Sequence, residues 1–317
     1  MMVGLELTLM LEDYHRTHAF HEGKISIDGL KLKTLRPAAR GQACYRPVYE
    51  EYDVAEMSLS WYVMARCRDE PVVALPIFPL RMFIQPYIFC SQASKINNPE
   101  DLKGKRIAIQ QYRLTVGLWA RGILEEHYGV APSDMVWATS EAEGAGYVVP
   151  EKVRLEVMGK DAEQMLLNGE ADALIAPNVP QSFRERDFRI RRLFKDCRPT
   201  VIEYYNKARI FPMTHTLVIR KALINSQPWI AAKLVDAFRE ADRQCQSSYE
   251  YPKRLSYPTA VLLMEEEEVF GKNPWEHGLR YNERALEKFI EYAYNQNYIP
   301  YRPGLRELFV GEGECLR

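Results

Sequence analysis

The stretch Glu51–Ala65, EYDVAEMSLSWYVMA, starts as a buried strand and ends as a helix. Between the two lies EMSLS, an acid and two hydroxyls, where an apolar strand runs out. Two readings compete for Glu56, Ser58 and Ser60. Ser58 has the chemistry of a helix N-cap, whose side chain accepts a hydrogen bond from an exposed first-turn amide. Alternatively, the three residues face a cleft and hold a ligand. Capping alone leaves Glu56 unexplained, because a carboxylate inside an apolar strand needs a partner or a function to offset its desolvation.

Working outward, short apolar strands alternate with helical patterns, which predicts an α/β protein with mostly parallel sheets. LELTLML (5–11) and LKLKTLR (30–36) read as strands, a helix is predicted over 40–51, and DVAEMS (53–58) is a third strand. This β-α-β-α-β order suits half of a doubly wound sheet. The pattern recurs, with strands at 104–112, 153–158 and 171–177 and helices at 113–129 and 161–170. RMFIQPYIFCS (81–91) and RIFPMTHTLVIR (209–220) read as crossings between two lobes. The expected division is a first lobe at 1–85 continued by 209–317, and a second lobe at 86–208. The tail is helical by period: NERALEKFIEYAYNQN (282–297) places Leu286, Phe289, Ile290 and Ala293 on one side.

The 317 residues allow two such lobes. A composition 47% hydrophobic and 27% charged, with mean hydropathy −0.34, fits a globular protein with a sizeable core. The formal charge of −1 gives no basic bias toward nucleic acid or an anionic membrane. No run of 18 apolar residues occurs, so no membrane span is expected. The amino-terminal MMVGLELTLMLEDYHRT lacks a basic region followed by an apolar core and cleavage site, so a cytoplasmic location is expected. Cys44, Cys67, Cys90, Cys197, Cys245 and Cys315 are scattered without metal-knuckle spacing and read as reduced thiols.

In open parallel sheets, ligands sit beyond the carboxyl ends of the strands, near helix amino termini. A cleft between the lobes would receive those ends. The residues there are Asp13 and Tyr14; Glu56, Ser58 and Ser60; Tyr112, Arg113 and Thr115; and Asn178.

DYHRT (13–17), EYDVAEMSLSWYVMAR (51–66), ALPIFPLRMF (74–83) and DLKGKRIAIQQYRLT (101–115) carry a resemblance that extends almost end to end. It continues through WARGILEEHYGV (119–130), GEADALIAPNVP (169–180), RIFPMTHTLVIR (209–220) and NPWEHGLRYN (273–282), closing with ELF (307–309). The chain resembles the 4,5-dihydroxyphthalate decarboxylase family. That resemblance implies a two-lobed fold like the type 2 periplasmic binding proteins, with a ligand cleft and a helical carboxyl-terminal region. His15 stands where the family pattern has a second acid, and the loop TSEAEGAGYVV (139–149) departs from it.

The implied reaction converts a hydroxylated aromatic dicarboxylate to a hydroxybenzoate and CO2, with no cofactor. Direct loss of CO2 would leave a costly aryl anion. Protonating the ring carbon that bears the carboxylate avoids it, with an ionised para oxygen supplying electron density. The site then needs a cation for the carboxylates, a base near the phenol and an acid at the ring carbon. Arg81 suits the cation, with Arg16 or Arg113 for the second carboxylate. Against each stands an ordinary salt bridge. His215 suits the proton carrier, because imidazole titrates near neutrality. A structural histidine bonded to backbone reads the same. Glu56 takes the phenol proton or accepts its hydrogen bond. Tyr14, Tyr112, Trp61 and Trp119 are candidate walls for a planar ring, though Trp119 in GLWARGIL reads better as core.

His15, His18 and His21 form H-x2-H-x2-H beside Glu22. On a helix the outer two would lie about 120° apart, poor for one tetrahedral site, so no metal is expected. No glycine-rich dinucleotide fingerprint is present. The expected partner is a small aromatic carboxylate, with no nucleic acid and no membrane; a homo-oligomer is left open. The rival function is capture of a small anion for transport or sensing, or another carboxylate lyase or isomerase reaction on the same fold.

Overall fold

The computed structural model describes residues 4–37, 47–144, 146–248 and 256–310. The helix expected over 40–51 falls largely on 38–46, outside the described residues, as do Cys44 and Cys315; after it comes one turn, Val48–Glu50. In chain order the first elements are β1 (Leu5–Met10), α1 (His18–His21), β2 (Leu30–Leu35), β3 (Val54–Ser58), α2 (Leu59–Arg66) and β4 (Val72–Leu75). Next come β5 (Ile88–Ser91), β6 (Arg106–Ile109), α3 (Thr115–Tyr128), β7 (Val136–Thr139), β8 (Arg154–Val157), α4 (Ala162–Leu167) and β9 (Ala173–Ile175). The remainder are α5 (Gln181–Arg184), β10 (Ile190–Arg192), α6 (Cys197–Ala208), β11 (His215–Arg220), α7 (Lys221–Ser226), α8 (Trp229–Ser247), α9 (Tyr257–Phe270), α10 (Leu279–Asn295) and α11 (Leu305–Leu308).

The chain divides into two compact units. The first is Met1–Arg81, Met213–Glu287 and Pro303–Arg317; the second is Met82–Pro212 and Lys288–Arg302.

The first unit carries a sheet in the order β2-β1-β3-β11-β4. β1 runs parallel to β2 and β3, whereas β11 runs antiparallel to both its neighbours, β3 and β4. The mostly parallel arrangement expected is here a mixed one, with β11 the antiparallel strand: hydropathy marks a strand but carries no sign of its direction. β3 is buried at every position. The long helix α8 buries Ile230, Ala231, Leu234, Val235, Phe238 and Ala241, at spacings of one, three and four, against Leu7, Leu9, Leu217 and Ile219. Each buried Ile, Leu, Val or Phe among them stabilises the unit by roughly 1.5–3 kcal/mol, the alanines by less.

The second unit carries a sheet in the order β10-β5-β9-β6-β7-β8. β9, β6, β7 and β8 are mutually parallel, and β5 is antiparallel to β9 and β10. α3 ends at Gly129, whose φ of +64° is the left-handed conformation that costs glycine no Cβ clash. Within α3, Gly122 lets the helix lie on an aromatic ring, since a Cβ there would come 2.2 Å from Tyr292. The predicted face of α10 is inward: Leu286, Phe289, Ile290 and Ala293 are all buried.

Candidate active site

The period-two alternation of strands sets the first unit's polar cluster. His215 pairs with Ser58 across β11 and β3, and Leu217 pairs with Glu56. Directly opposed residues share a sheet face, so His215 and Glu56 are diagonal neighbours on it. The His215 Nδ1 lies 2.5 Å from Glu56 Oε1, and both residues are buried. The backbone of β11 is held here too, with the Thr214 and His215 N–H groups donating to the Leu80 carbonyl.

Glu56 also accepts the Tyr14 hydroxyl at Oε1 (2.8 Å) and the Glu12 N–H at Oε2 (3.0 Å). Three donors thus converge on one buried carboxylate, the compensation that burying it requires. Two of them come from the loop after β1, which Thr17 clasps by donating to the Glu12 carbonyl and accepting the Tyr14 N–H. The motif DYHRT is therefore a self-closing turn that aims Tyr14 at Glu56. Ser58 occupies the N-cap position of α2, but its side chain makes no capping bond. Ser58 and Ser60 are both fully buried beside Glu56 in sequence.

Asp13 is engaged by side chains of its own unit. Its carboxylate bonds His18 Nδ1 at 2.8 Å and the Arg36 guanidinium at 2.7 and 2.9 Å. Burial works to raise its pKa, yet those hydrogen bonds outweigh burial and hold it below the usual carboxylate value. His15 Nδ1 sits 3.7 Å from Cys245 Sγ. Among the described residues no group of three or more His, Cys, Asp or Glu is assembled for a metal.

Arg81 is buried with its fork already engaged. Nη1 donates to Asn282 Oδ1 and Nη2 to the Glu276 carbonyl, each at 2.7 Å. Burial, then the charge of Arg16, push its pKa down against Asp242 and Glu276. Asp242 is pushed up to about 7 by burial, against the pull of Arg16 and Arg81, and lies 3.2 Å from His277 Nε2. His277 Nδ1 accepts the Phe78 N–H, and burial keeps its pKa well below the ordinary value. Arg16 stacks on Trp275, 3.1 Å from the ring centroid, and donates to the Pro79 carbonyl. It lines a cavity of about 580 Å³ with His15, Cys245, Lys272 and Trp275; Glu56 and His215 do not line it.

In the second unit, Tyr112 is a core ring. It meets Trp137 edge-on at 5.3 Å and stacks with Tyr147 at 6.2 Å, and the Arg121 guanidinium lies 3.6 Å from its centroid. Arg113 is buried with its Nε 3.5 Å from Glu143 Oε2. Thr115 opens α3 and is buried, whereas Asn178, after β9, is exposed. Trp119 packs against Phe289 and Tyr292, as its helical spacing predicts. Trp61 is half-buried in α2.

Over 309 residues the chain is 30% identical to the 4,5-dihydroxyphthalate decarboxylase of Comamonas testosteroni, covering 91% of each. The chain belongs to the 4,5-dihydroxyphthalate decarboxylase family. The decarboxylase of the same name from Pseudomonas putida is 30% identical over 215 residues, 64% of this chain and 83% of that one. No family model matches the chain. Among solved structures, the periplasmic sulfonate-binding protein SsuA from Methylobacillus flagellatus KT matches with a TM-score of 0.60 at 15% identity, covering 97% of this chain and 92% of that one. This likeness shows the fold alone, the type 2 periplasmic-binding-protein-like α/β architecture.

Within each unit the geometry sorts the candidate residues into separate clusters. Glu56, His215 and Tyr14 come together. Arg81 lies instead in a network with Asn282, Asp242 and His277, none of which the sequence reading singled out. The only signal for them was their setting: His277 and Asn282 fall in the family-matched NPWEHGLRYN. Arg121 and Glu143 were also missed. Arg121 sits in a helix whose apolar spacing reads as core, and Glu143 lies in a loop without period.

Proposed function

We propose that the protein decarboxylates a hydroxylated aromatic dicarboxylate of the 4,5-dihydroxyphthalate kind to a hydroxybenzoate and CO2, in the cytoplasm and without an organic cofactor. Membership of the decarboxylase family supports the reaction class. The observation that carries the chemistry is the cluster of buried Glu56 and His215 with the half-buried Tyr14. Free thiols at Cys90 and Cys197 support a reducing compartment.

With Glu56 as acceptor, the His215 Nδ1 carries a proton, and the tautomer follows from that bond. Nε2 is then the nitrogen that delivers a proton to the ring carbon bearing the carboxylate. The ionised para oxygen supplies the electron density for the new C–H bond. The C–C bond breaks, its electron pair restores the aromatic ring, and CO2 departs. His215 regains its proton from water, so one proton is consumed per turnover. Glu56 orients the imidazole and stabilises its charged form, the role of a buried carboxylate behind a catalytic histidine. Arg16, on the same loop after β1 as Tyr14, is the cation for a carboxylate, whereas the Arg81 fork is already taken by Asn282 and the Glu276 carbonyl.

The rival reading, capture of a small anion, is supported by the fold shared with a sulfonate-binding protein. One experiment separates them: a panel of hydroxybenzoates and hydroxyphthalates, read by CO2 release and product mass. Release of CO2 from a para-hydroxylated dicarboxylate supports the decarboxylase. Tight binding with no CO2 from any member supports the rival.

A further inference from the structure

In the second unit, the chain closes a carboxylate site with a carboxylate of its own. Glu143 Oε1 accepts the Tyr112 N–H at 2.5 Å, and Oε2 accepts the Arg113 N–H at 3.3 Å. The Arg113 Nε lies 3.5 Å from the same Oε2, and both side chains are 7% exposed. Successive backbone N–H groups plus a guanidinium, just ahead of the amino terminus of α3, form an anion nest. Gly144 lies close against the guanidinium, and a Cβ there would be 2.7 Å from Arg113 Nη2. Holding Glu143 here is costly: burial raises its pKa against the pull of both amides, Arg113 and Arg121.

A second observation points to a ligand. The Tyr112 hydroxyl and the Thr139 and Ser140 hydroxyls are buried with no hydrogen-bond partner among the described residues. Tyr112, which also supplies one N–H of the nest, follows β6, and Thr139 and Ser140 stand at the carboxyl end of β7, the parallel neighbour of β6. Buried hydroxyls left unpaired cost free energy that a polar ligand would recover. Glu141, the other acid of this loop, is taken up by the Gln110 and Gln111 side chains.

We propose that this nest is a subsite for a substrate carboxylate, and that Glu143 competes for it and thereby sets the affinity for carboxylate ligands. The inference rests on the decarboxylase reading above. It adds which groups of the second unit hold a carboxylate and what opposes them. An internal competitor lowers apparent affinity by the fraction of molecules in which the subsite is open.

Phthalate is the probe, because it carries both carboxylates but no ring hydroxyl to drive loss of CO2. Its Kd is measured by titration calorimetry for the wild type, Glu143→Ala, Glu143→Gln and the double variant Glu143→Ala/Arg113→Gln. Removing a competitor held by charge-assisted bonds should tighten binding about ten- to hundredfold in Glu143→Ala. Glu143→Gln, alike in shape but uncharged, should fall between, and the double variant should lose the gain. Equal or weaker binding by a folded Glu143→Ala overturns the proposal, as does a gain that survives Arg113→Gln. If the Ala variant melts early, Glu143→Gln decides alone, with tighter binding expected and equal or weaker binding fatal. Tighter phthalate binding alongside no CO2 from any panel substrate would reject the decarboxylase reading and leave the nest standing.

Discussion

Glu56→Gln changes one atom at the centre of the buried cluster, and the geometry dictates how the amide must sit. The wild-type carboxylate accepts from three donors: Glu12 N–H at Oε2, and Tyr14 O–H and His215 Nδ1 at Oε1. Glutamine offers one acceptor oxygen and one NH2 donor. The Glu12 amide can only donate, so the side-chain oxygen must face it. The NH2 then points at Tyr14 and His215. The tyrosine hydroxyl can rotate to accept. His215 can accept only by moving its proton from Nδ1 to Nε2, and a ring whose Nδ1 accepts from the amide cannot take up the second proton that Nε2 must deliver. Loss of acid–base function typically costs about 10²- to 10⁴-fold in rate, so kcat should fall within that range. Any residual mismatch in the buried network costs about 1–3 kcal/mol, a drop in Tm of several degrees for a chain of this size. The assay is kcat by CO2 release on the best panel substrate, with a thermal melt of the same preparation. A folded Glu56→Gln enzyme with near-wild-type kcat would refute the reasoning.

His215→Asn should lower kcat by about 10²- to 10⁴-fold with little change in KM, because a proton carrier acts on the transition state; a raised KM at unchanged kcat would make it a binding residue. Arg81→Met leaves the buried Asn282 Oδ1 without its guanidinium donor and should cost about 1–3 kcal/mol, read as a fall in Tm; an unaltered melt with raised KM would return Arg81 to the substrate. Asp242 has its folded pKa raised by burial to about 7. The folded state therefore binds more protons than the unfolded one between about pH 4 and pH 7, and stability from this group falls as pH rises through that window. Asp242→Asn should gain Tm relative to wild type between pH 5 and pH 8, and a constant difference would contradict the shift.

The sequence made Glu56 legible because a charge in an apolar strand has few bland explanations. The cost of burying it is large, and three converging donors are the observed answer. His215 was legible from its place at a chain crossing, but its proximity to Glu56 depends on β11 lying antiparallel beside β3, which hydropathy does not encode. Arg81 illustrates the opposite case. Its partner Asn282 is 201 residues away in sequence, and a guanidinium that suits a substrate carboxylate suits an asparagine and a carbonyl equally well. The Arg36 partner of Asp13 was illegible for a similar reason: a carboxylate at a strand end looks the same whether it meets a ligand or Arg36. Tyr112 shares the expected loop, yet its ring is absorbed by Trp137, Tyr147 and Arg121, a packing that no local spacing reveals.

The central claim is that this chain breaks a carbon–carbon bond by protonating the carbon it leaves behind. The most direct measurement is incubation with 4,5-dihydroxyphthalate in D2O, with headspace CO2 quantified and the product examined by mass spectrometry and NMR. The account predicts one equivalent of CO2 and a dihydroxybenzoate carrying one non-exchangeable deuterium at the vacated ring position. Recovery of unchanged dicarboxylate, bound but intact, would contradict it.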